Sequence, residues 1–387
     1  MSSSTAALAS PRALSQAAWG LRAQFFVAGA LFATWGVHVP TVKAHYGLGE
    51  QALALAMLAS GLGALLALMH AGRAVGRHGP KAVAIVFGIV CTLCIAALLA
   101  FGSYAALVAV MLAYGAAASL FDVSINAEAT ELERLGGRPV MSGFHGMFSL
   151  GGMVGAGAGA VLQRAGVAPE QHLMGAALVC AAAILLGGSV MLRMEGATQP
   201  SSGMSLPRGA LLPLGLLAAM GLIAEGAMYD WSVLYVKQEL KSDAGTAAVA
   251  YASFSAAMAA ARFGGDWVRG HIASVPLLQL SGALGTAGMA LALLASEPWV
   301  ALLGFALVGI GFANVVPVLF GAAARVPGVT PAHGIAAVSS VSYLGMMAGP
   351  PLIGVIAERA SLTWGLVTVV VFAAVLALSA RRALPAG

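Results

Sequence analysis

In the stretch Gly72-Arg73-Ala74-Val75-Gly76-Arg77-His78-Gly79-Pro80-Lys81, three cations, three glycines and a proline separate two predominantly apolar runs, near 50–70 and 82–102. Each run has about 20 residues, the length that carries an α-helix across ~30 Å of hydrocarbon at 1.5 Å per residue. The unit reads as a helical hairpin with its polar connection at a membrane surface. The rest of the chain repeats the pattern. Of the 387 residues 60% are hydrophobic and only 9% charged, with mean hydropathy +0.92, whereas a soluble domain carries about a quarter charged residues. A soluble enzyme is excluded on this balance. The net charge of +5 does not point to nucleic acid, because the 19 Lys and Arg lie singly or in pairs between apolar runs instead of forming a basic stripe.

Further apolar runs place spans near 22–42, 104–126, 140–163, 172–192, 209–236, 247–264, 274–294, 298–320, 333–357 and 362–380, making twelve in all. If successive spans alternate in direction, fourteen of the nineteen Lys and Arg fall on the side of the N-terminus and five on the other. Positive loops stay inside, so both termini are expected in the cytoplasm. The Ala- and Ser-rich start, with Arg22 before the first run, is taken as an uncleaved first helix. Cys91, Cys94 and Cys180 all fall in apolar stretches and carry no redox inference. The least apolar connection, 194–208, divides the chain into six-span bundles, 1–193 and 209–387. A shift of 193 residues brings Gly72 onto Gly265 and Val75 onto Val268, and one of 194 brings Gly151 onto Gly345 and Gly155 onto Gly349. An internal repeat with a solute site between its halves is the expectation. The run Gly151-Gly152-Met153-Val154-Gly155 is a close-packing face. It is not a nucleotide loop, since no soluble strand precedes it.

The connection 72–81 resembles the cytoplasmic signature of the major facilitator superfamily, through Gly72, Arg73, Gly76, Arg77, Gly79 and Lys81. Gly76 stands where that signature commonly has an acidic residue. In the second half Arg262, Gly265, Asp266 and Arg269 form the equivalent connection, with the acid present. Asp122-Val123-Ser124-Ile125-Asn126 and His145-Gly146-Met147-Phe148-Ser149-Leu150-Gly151-Gly152 are similar to the fourth and fifth spans of the fucose-permease-related branch. Glu225 to Trp231 and Tyr343 to Pro351 are similar to its small bacterial inner-membrane members. The resemblance implies an all-α major facilitator-type fold of twelve transmembrane helices in two pseudo-symmetric six-helix bundles, in a bacterial inner membrane. It also implies a proton-coupling role for Asp122. The first-span acid of fucose permeases has no counterpart around Trp35-Gly36-Val37-His38-Val39-Pro40.

Ionisable groups inside a membrane are costly and face a cavity or a partner. Asp122, Glu225 and Asp230 are therefore the proton-coupling candidates, with a buried neutral carboxyl as the plainer alternative. Asp122 and Asn126 share a helix face. His38, Asn126, His145, Ser149, Trp231 and Asn314 are candidates for the solute shell, although Trp231 can equally be a boundary ring and the small polar groups equally helix-pairing contacts. Glu128, Glu131 and Glu133 read as loop acids compensating Arg134 and Arg138. No phosphate loop, nucleophile-base pair or metal constellation is found, so no cofactor, metal or enzymatic turnover is expected. The expected partners are a small solute, protons and the bilayer, and one chain suffices. Proton-coupled import leads; export by proton exchange follows, and a structural or signalling membrane protein is the different-class alternative.

Overall fold

The computed structural model describes residues 10–137, 140–192 and 207–384. Fourteen helices occur among them: α1 (Pro11–His45), α2 (Glu50–His78), α3 (Pro80–Ala97), α4 (Tyr104–Gly136), α5 (Met141–Arg164), α6 (Pro169–Ser189), α7 (Leu211–Gln238), α8 (Ala244–Phe263), α9 (Gly265–His271), α10 (Ser274–Leu294), α11 (Pro298–Phe312), α12 (Val315–Ala323), α13 (Pro331–Arg359) and α14 (Leu362–Ala383). Twelve stretches are long and apolar enough to cross a membrane, α11 and α12 together forming one of them, Pro298–Ala323. Within a bilayer every backbone polar group needs an internal partner, which leaves the helix as the spanning form for such runs.

Connections between spans are short where they are described, so neighbours run antiparallel. We call the face at which α1 begins and α14 ends proximal, and the opposite face distal. Exposed Trp19 and Trp267 lie toward the proximal face, and exposed Trp299 and Trp364 open their helices at the distal one. Such rings favour the headgroup boundary. Between the two levels the outward surface is aliphatic, with Leu178, Val179, Leu186 and Leu378 exposed.

The main packings of the first six spans have counterparts in the last six. Helix α1 packs on α5 and α6, α2 on α4, and α3 on α4 and α6. Correspondingly α7 packs on α13 and α14, α8 on α11, and α10 on α11 and α14. The glycines aligned in the sequence do the same work in both halves. A Cβ at Gly151 would stand 1.9 Å from the Phe26 carbonyl oxygen of α1, and one at Gly345 2.6 Å from the Ala219 Cβ of α7. Gly155 and Gly349 meet Ala30 and Ile223 in the same way. The partners Phe26 and Ala219, like Ala30 and Ile223, are themselves 193 positions apart. Two like bundles are thus built by one packing rule, in which small residues let backbones approach and dispersion contacts hold them.

Several expected connections are helical. Gly72, Arg73, Gly76 and Arg77 belong to α2, and Lys81 to α3; only Gly79, at φ +77°, stands between them. Hydrogen bonding does not stop where hydropathy does, and α2 continues until a glycine with positive φ followed by proline at the first helical position ends it. Lys81 Nζ donates to the Ser189 and Met191 carbonyls (2.6 and 3.4 Å), tying off the end of α6. Likewise Glu128, Glu131 and Glu133 are in α4 and not in a loop. Glu128 is buried and accepts from the Leu192 amide (2.9 Å), Glu131 pairs with Arg134, and Glu133 accepts from the Val140 amide (2.9 Å). Arg138 and most of the linker, residues 193–206, lie outside the described residues.

Candidate functional site

The bundles meet where α1 packs on α7 and α8, α2 on α13, and α5 on α8. Along this seam the distal contacts are close. Arg164 at the end of α5 donates to Thr246 in the first turn of α8 (3.3 Å), and the Gln51 amide of α2 donates to Glu358 of α13 (3.2 Å). A Cβ on Gly36 of α1 would enter the Tyr251 ring of α8. Trp35 of α1 donates its indole N–H to Asp230 of α7 at 3.4 Å. Asp230, one of the expected coupling acids, therefore lies in the seal between α1 and α7.

Midway along the seam is an ion pair. Glu225, in the middle of α7, accepts from Arg262 Nη2 at 2.9 Å, and the two side chains are 12% and 21% exposed. Arg262 is in the last turn of α8, and its long side chain reaches back along the helix, the direction in which helical side chains tilt. Its Nη1 donates to Ser149 Oγ of α5 at 3.1 Å. One guanidinium thus bonds both bundles. Tyr229, one turn beyond Glu225, donates to the same carboxylate (3.4 Å). Its ring meets Phe32, Tyr251 and Phe254 with centroids 5.1–5.3 Å apart. These aromatics form a wall on the distal side of the pair.

Three further polar side chains surround this centre. His145 of α5 is exposed, although protein encloses it on most sides, and it lies within electrostatic reach of Arg262. Asp122 of α4 is exposed as well. Its Oδ1 and its backbone carbonyl both accept from the Asn126 amide, at 3.0 and 2.9 Å. Tyr343 of α13 is 54% exposed and lies within electrostatic reach of both Asp122 and Glu225. Five residues singled out in the sequence are thus linked: Ser149 and Glu225 through Arg262, His145 within its electrostatic reach, and Asp122 with Asn126 through Tyr343, which lies within reach of both Asp122 and Glu225.

The others are placed elsewhere. His38 is fully buried inside the first bundle, where its Nε2 lies 2.8 Å from His172 Nδ1 of α6. Trp231 is 0% exposed, and its ring packs near Gly354 of α13. The expectation that it stands at one end of an open path gives way to a ring enclosed between helices, because α13 presents a glycine there and lets the indole in. Asn314 is buried at the break between α11 and α12, accepts from Arg269 Nη1 (3.2 Å) and abuts Gly265. It ties the proximal end of the second bundle together. Arg269 and Gly265 belong to the short helix α9; the side chain of Asp266 lies outside the described set. Gly72, Gly76 and Gly79 are proximal, as are exposed Arg73 and Arg77.

Sequence reasoning assigned Arg262 to a connection, and it named Tyr229 and Tyr343 within stretches of family resemblance without making them site candidates. A signal existed. A carboxylate in mid-span calls for a cation within one side-chain length, and Arg262 ends the very next helix.

The Major Facilitator Superfamily model matches residues 21–331. An MFS-type transporter of Yersinia pestis is 34% identical over 362 residues, 93% of this chain and 94% of its own length. The membrane protein MosC of Rhizobium meliloti is 29% identical over 360 residues, covering 92% of this chain and 87% of its own. Among solved structures, a D-xylose-proton symporter superposes with a TM-score of 0.76 at 14% identity, covering 95% of this chain and 98% of that one. The nucleoside transporter NupG gives 0.75 at 13% identity, covering 95% and 99%. At those identities the two structures speak to the fold alone.

Proposed function

The chain belongs to the major facilitator superfamily, and from that premise we propose that it is a secondary transporter moving a small polar organic solute across the inner membrane by proton-coupled alternating access. The observation that carries this reading is the guanidinium of Arg262, bonded at once to Glu225 of its own bundle and to Ser149 of the other. A contact of this kind couples the chemistry of one carboxylate to the relative position of two bundles. Neutralising Glu225 by a proton removes the charge that holds Arg262 where it is, and the bond across the seam is weakened with it. We divide the chain at 194–208 into 1–193 and 209–387, and assign the proximal face, with both termini, to the cytoplasm. The water-accessible centre beneath a closed distal seam then corresponds to a state open to the cytoplasm.

Glu225 takes precedence over Asp122 as the coupling group. Asp122 bonds an amide of its own helix, so its titration changes no contact between bundles, whereas that of Glu225 does. Asp122 and Asn126 are assigned to the solute, consistent with the kinship to the fucose-permease-related branch inferred from the fourth and fifth spans. The xylose symporter and the nucleoside transporter that share the fold are named for polar solutes, in keeping with a polar centre here.

The test is flux in matched vesicles under imposed proton gradients of both directions, with sugars, nucleosides, amino acids and organic acids as solutes. Wild-type protein is expected to accumulate a solute and to move protons with it. Glu225→Gln is expected to lose gradient-driven accumulation while retaining solute counterflow; Asp122→Asn is expected to weaken solute affinity and stay coupled. Coupling lost only in Asp122→Asn would reverse the assignment.

A further inference from the structure

We propose that the solute is a small hydroxylated monocarboxylate, bound by Arg262 in the place that Glu225 occupies in its absence. This rests on the transporter reading above and names the class of substrate. A guanidinium is matched in shape and charge to a carboxylate, and here such a pair is already made with Glu225. At this depth an arginine without a counter-charge is strongly disfavoured. When Glu225 takes up a proton, the replacement anion has to come from the surroundings of the pair or from solution.

The surroundings offer none in position. From α5 comes His145, a base. From α7 and α8 come Tyr229 and Tyr251, phenols of the aromatic wall, and from α7 also Asp230, whose carboxylate accepts from Trp35 in the seal between α1 and α7. From α13 comes Tyr343, and from α4 Asp122, whose carboxylate is engaged with Asn126. The ligand-side oxygens therefore belong to the solute. A neutral sugar leaves Arg262 uncompensated, whereas a carboxylate restores the charge balance of the resting pair. A protonated Glu225 with a bound carboxylate also carries the same net charge as the empty site. The loaded protein thus meets no added electrostatic cost when the bundles move.

The other end of the solute follows from the same wall. Asp122, bonded to Asn126, and Tyr343, within electrostatic reach of both Asp122 and Glu225, are polar groups suited to hydroxyls. A second carboxylate on the solute would face the charge of Asp122, which limits the class to monoanions. The ring face of Tyr343 and the aromatic wall behind Glu225 fit the C–H face of such a molecule.

The experiment uses full-length protein reconstituted in vesicles, with D-gluconate and D-glucuronate as probes against D-glucose, D-xylose and uridine. Saturable uptake is expected for a carboxylate probe, with half-saturation about tenfold or more below that of the matched neutral sugar. Because one proton enters with one anion, binding to purified protein is expected to weaken as pH rises, by up to about tenfold per pH unit. Arg262→Lys is expected to weaken carboxylate binding about tenfold or more. Glu225→Gln, which leaves Arg262 unoccupied, is expected to bind the carboxylate more tightly than wild type at neutral pH and independently of pH; a gain of binding also certifies that the variant is folded. Saturable uptake of neutral probes alone, carboxylate binding indifferent to Arg262→Lys, or weaker binding in Glu225→Gln would each overturn the inference and leave the transporter reading standing. Absence of saturable uptake for every probe counts against both.

Discussion

Arg262 and Trp231 illustrate how burial assigns a residue its work. Arg262 is partly exposed, carries charge and bonds two bundles. Trp231, fully enclosed, has an indole N–H with no partner. A ring that makes no polar contact serves through its volume. Trp231→Phe is thus expected to be mild, since it removes part of a ring and no hydrogen bond, while Trp231→Ala is expected to cost about 3–5 kcal/mol of stability by opening a cavity. Thermal unfolding of the detergent-purified variants measures this. Normal stability of Trp231→Ala together with lost solute binding would return the ring to the solute path. Both residues were visible in the sequence, but neither role was, because hydropathy registers how apolar a side chain is and not which helix it faces.

At the scale of elements, the seams α1/α5 and α7/α13 are set by small residues at equivalent places. Enlarging Gly151 drives a side chain into the Phe26 carbonyl, a backbone atom that can yield only if α1 moves. Gly345 opposes Ala219 in the matching position. Gly151→Val and Gly345→Val are each expected to destabilise by about 1–3 kcal/mol through overpacking, seen as lowered unfolding temperature and yield. Gly157→Val, which meets nothing within 4 Å, is the matched control and is expected to be near neutral. Most span positions follow from runs of about 20 apolar residues, because the bilayer thickness imposes that length. The helical ends did not follow: α4 runs on through Glu128 to Gly136, since hydrogen bonding and interhelical contacts such as Glu128 with Leu192 extend it beyond the apolar stretch.

For the molecule as a whole, alternating access requires the distal seam to open. A Cβ at Gly245 would lie 2.3 Å from Arg164 Cγ, so cysteines at 164 and 245 are close enough for a disulfide. Oxidation of Arg164→Cys/Gly245→Cys is expected to abolish transport reversibly, with activity returning on reduction; the same flux in both states would mean that this seam does not move. Tags at the two termini and in the 194–208 segment are expected to be accessible only from the cytoplasmic side, and termini found on opposite sides would break the alternation of spans.

Composition and periodic apolar runs by themselves determined that the chain is a twelve-span helical membrane protein. They did so because solvation in hydrocarbon is a local demand that each segment meets alone. The offset of 193–194 residues between aligned glycines likewise announced two like halves. The acids Asp122 and Glu225 announced a site, since a charge in a span has to be explained. Only the tertiary structure decided that Glu225 is paired with Arg262, that Arg262 reaches Ser149 in the other bundle, and that His38, Trp231 and Asn314 are occupied elsewhere. Those are contacts between different helices, and their partners depend on the rotation and depth of each helix against its neighbours, which packing at small residues fixes and hydropathy does not encode.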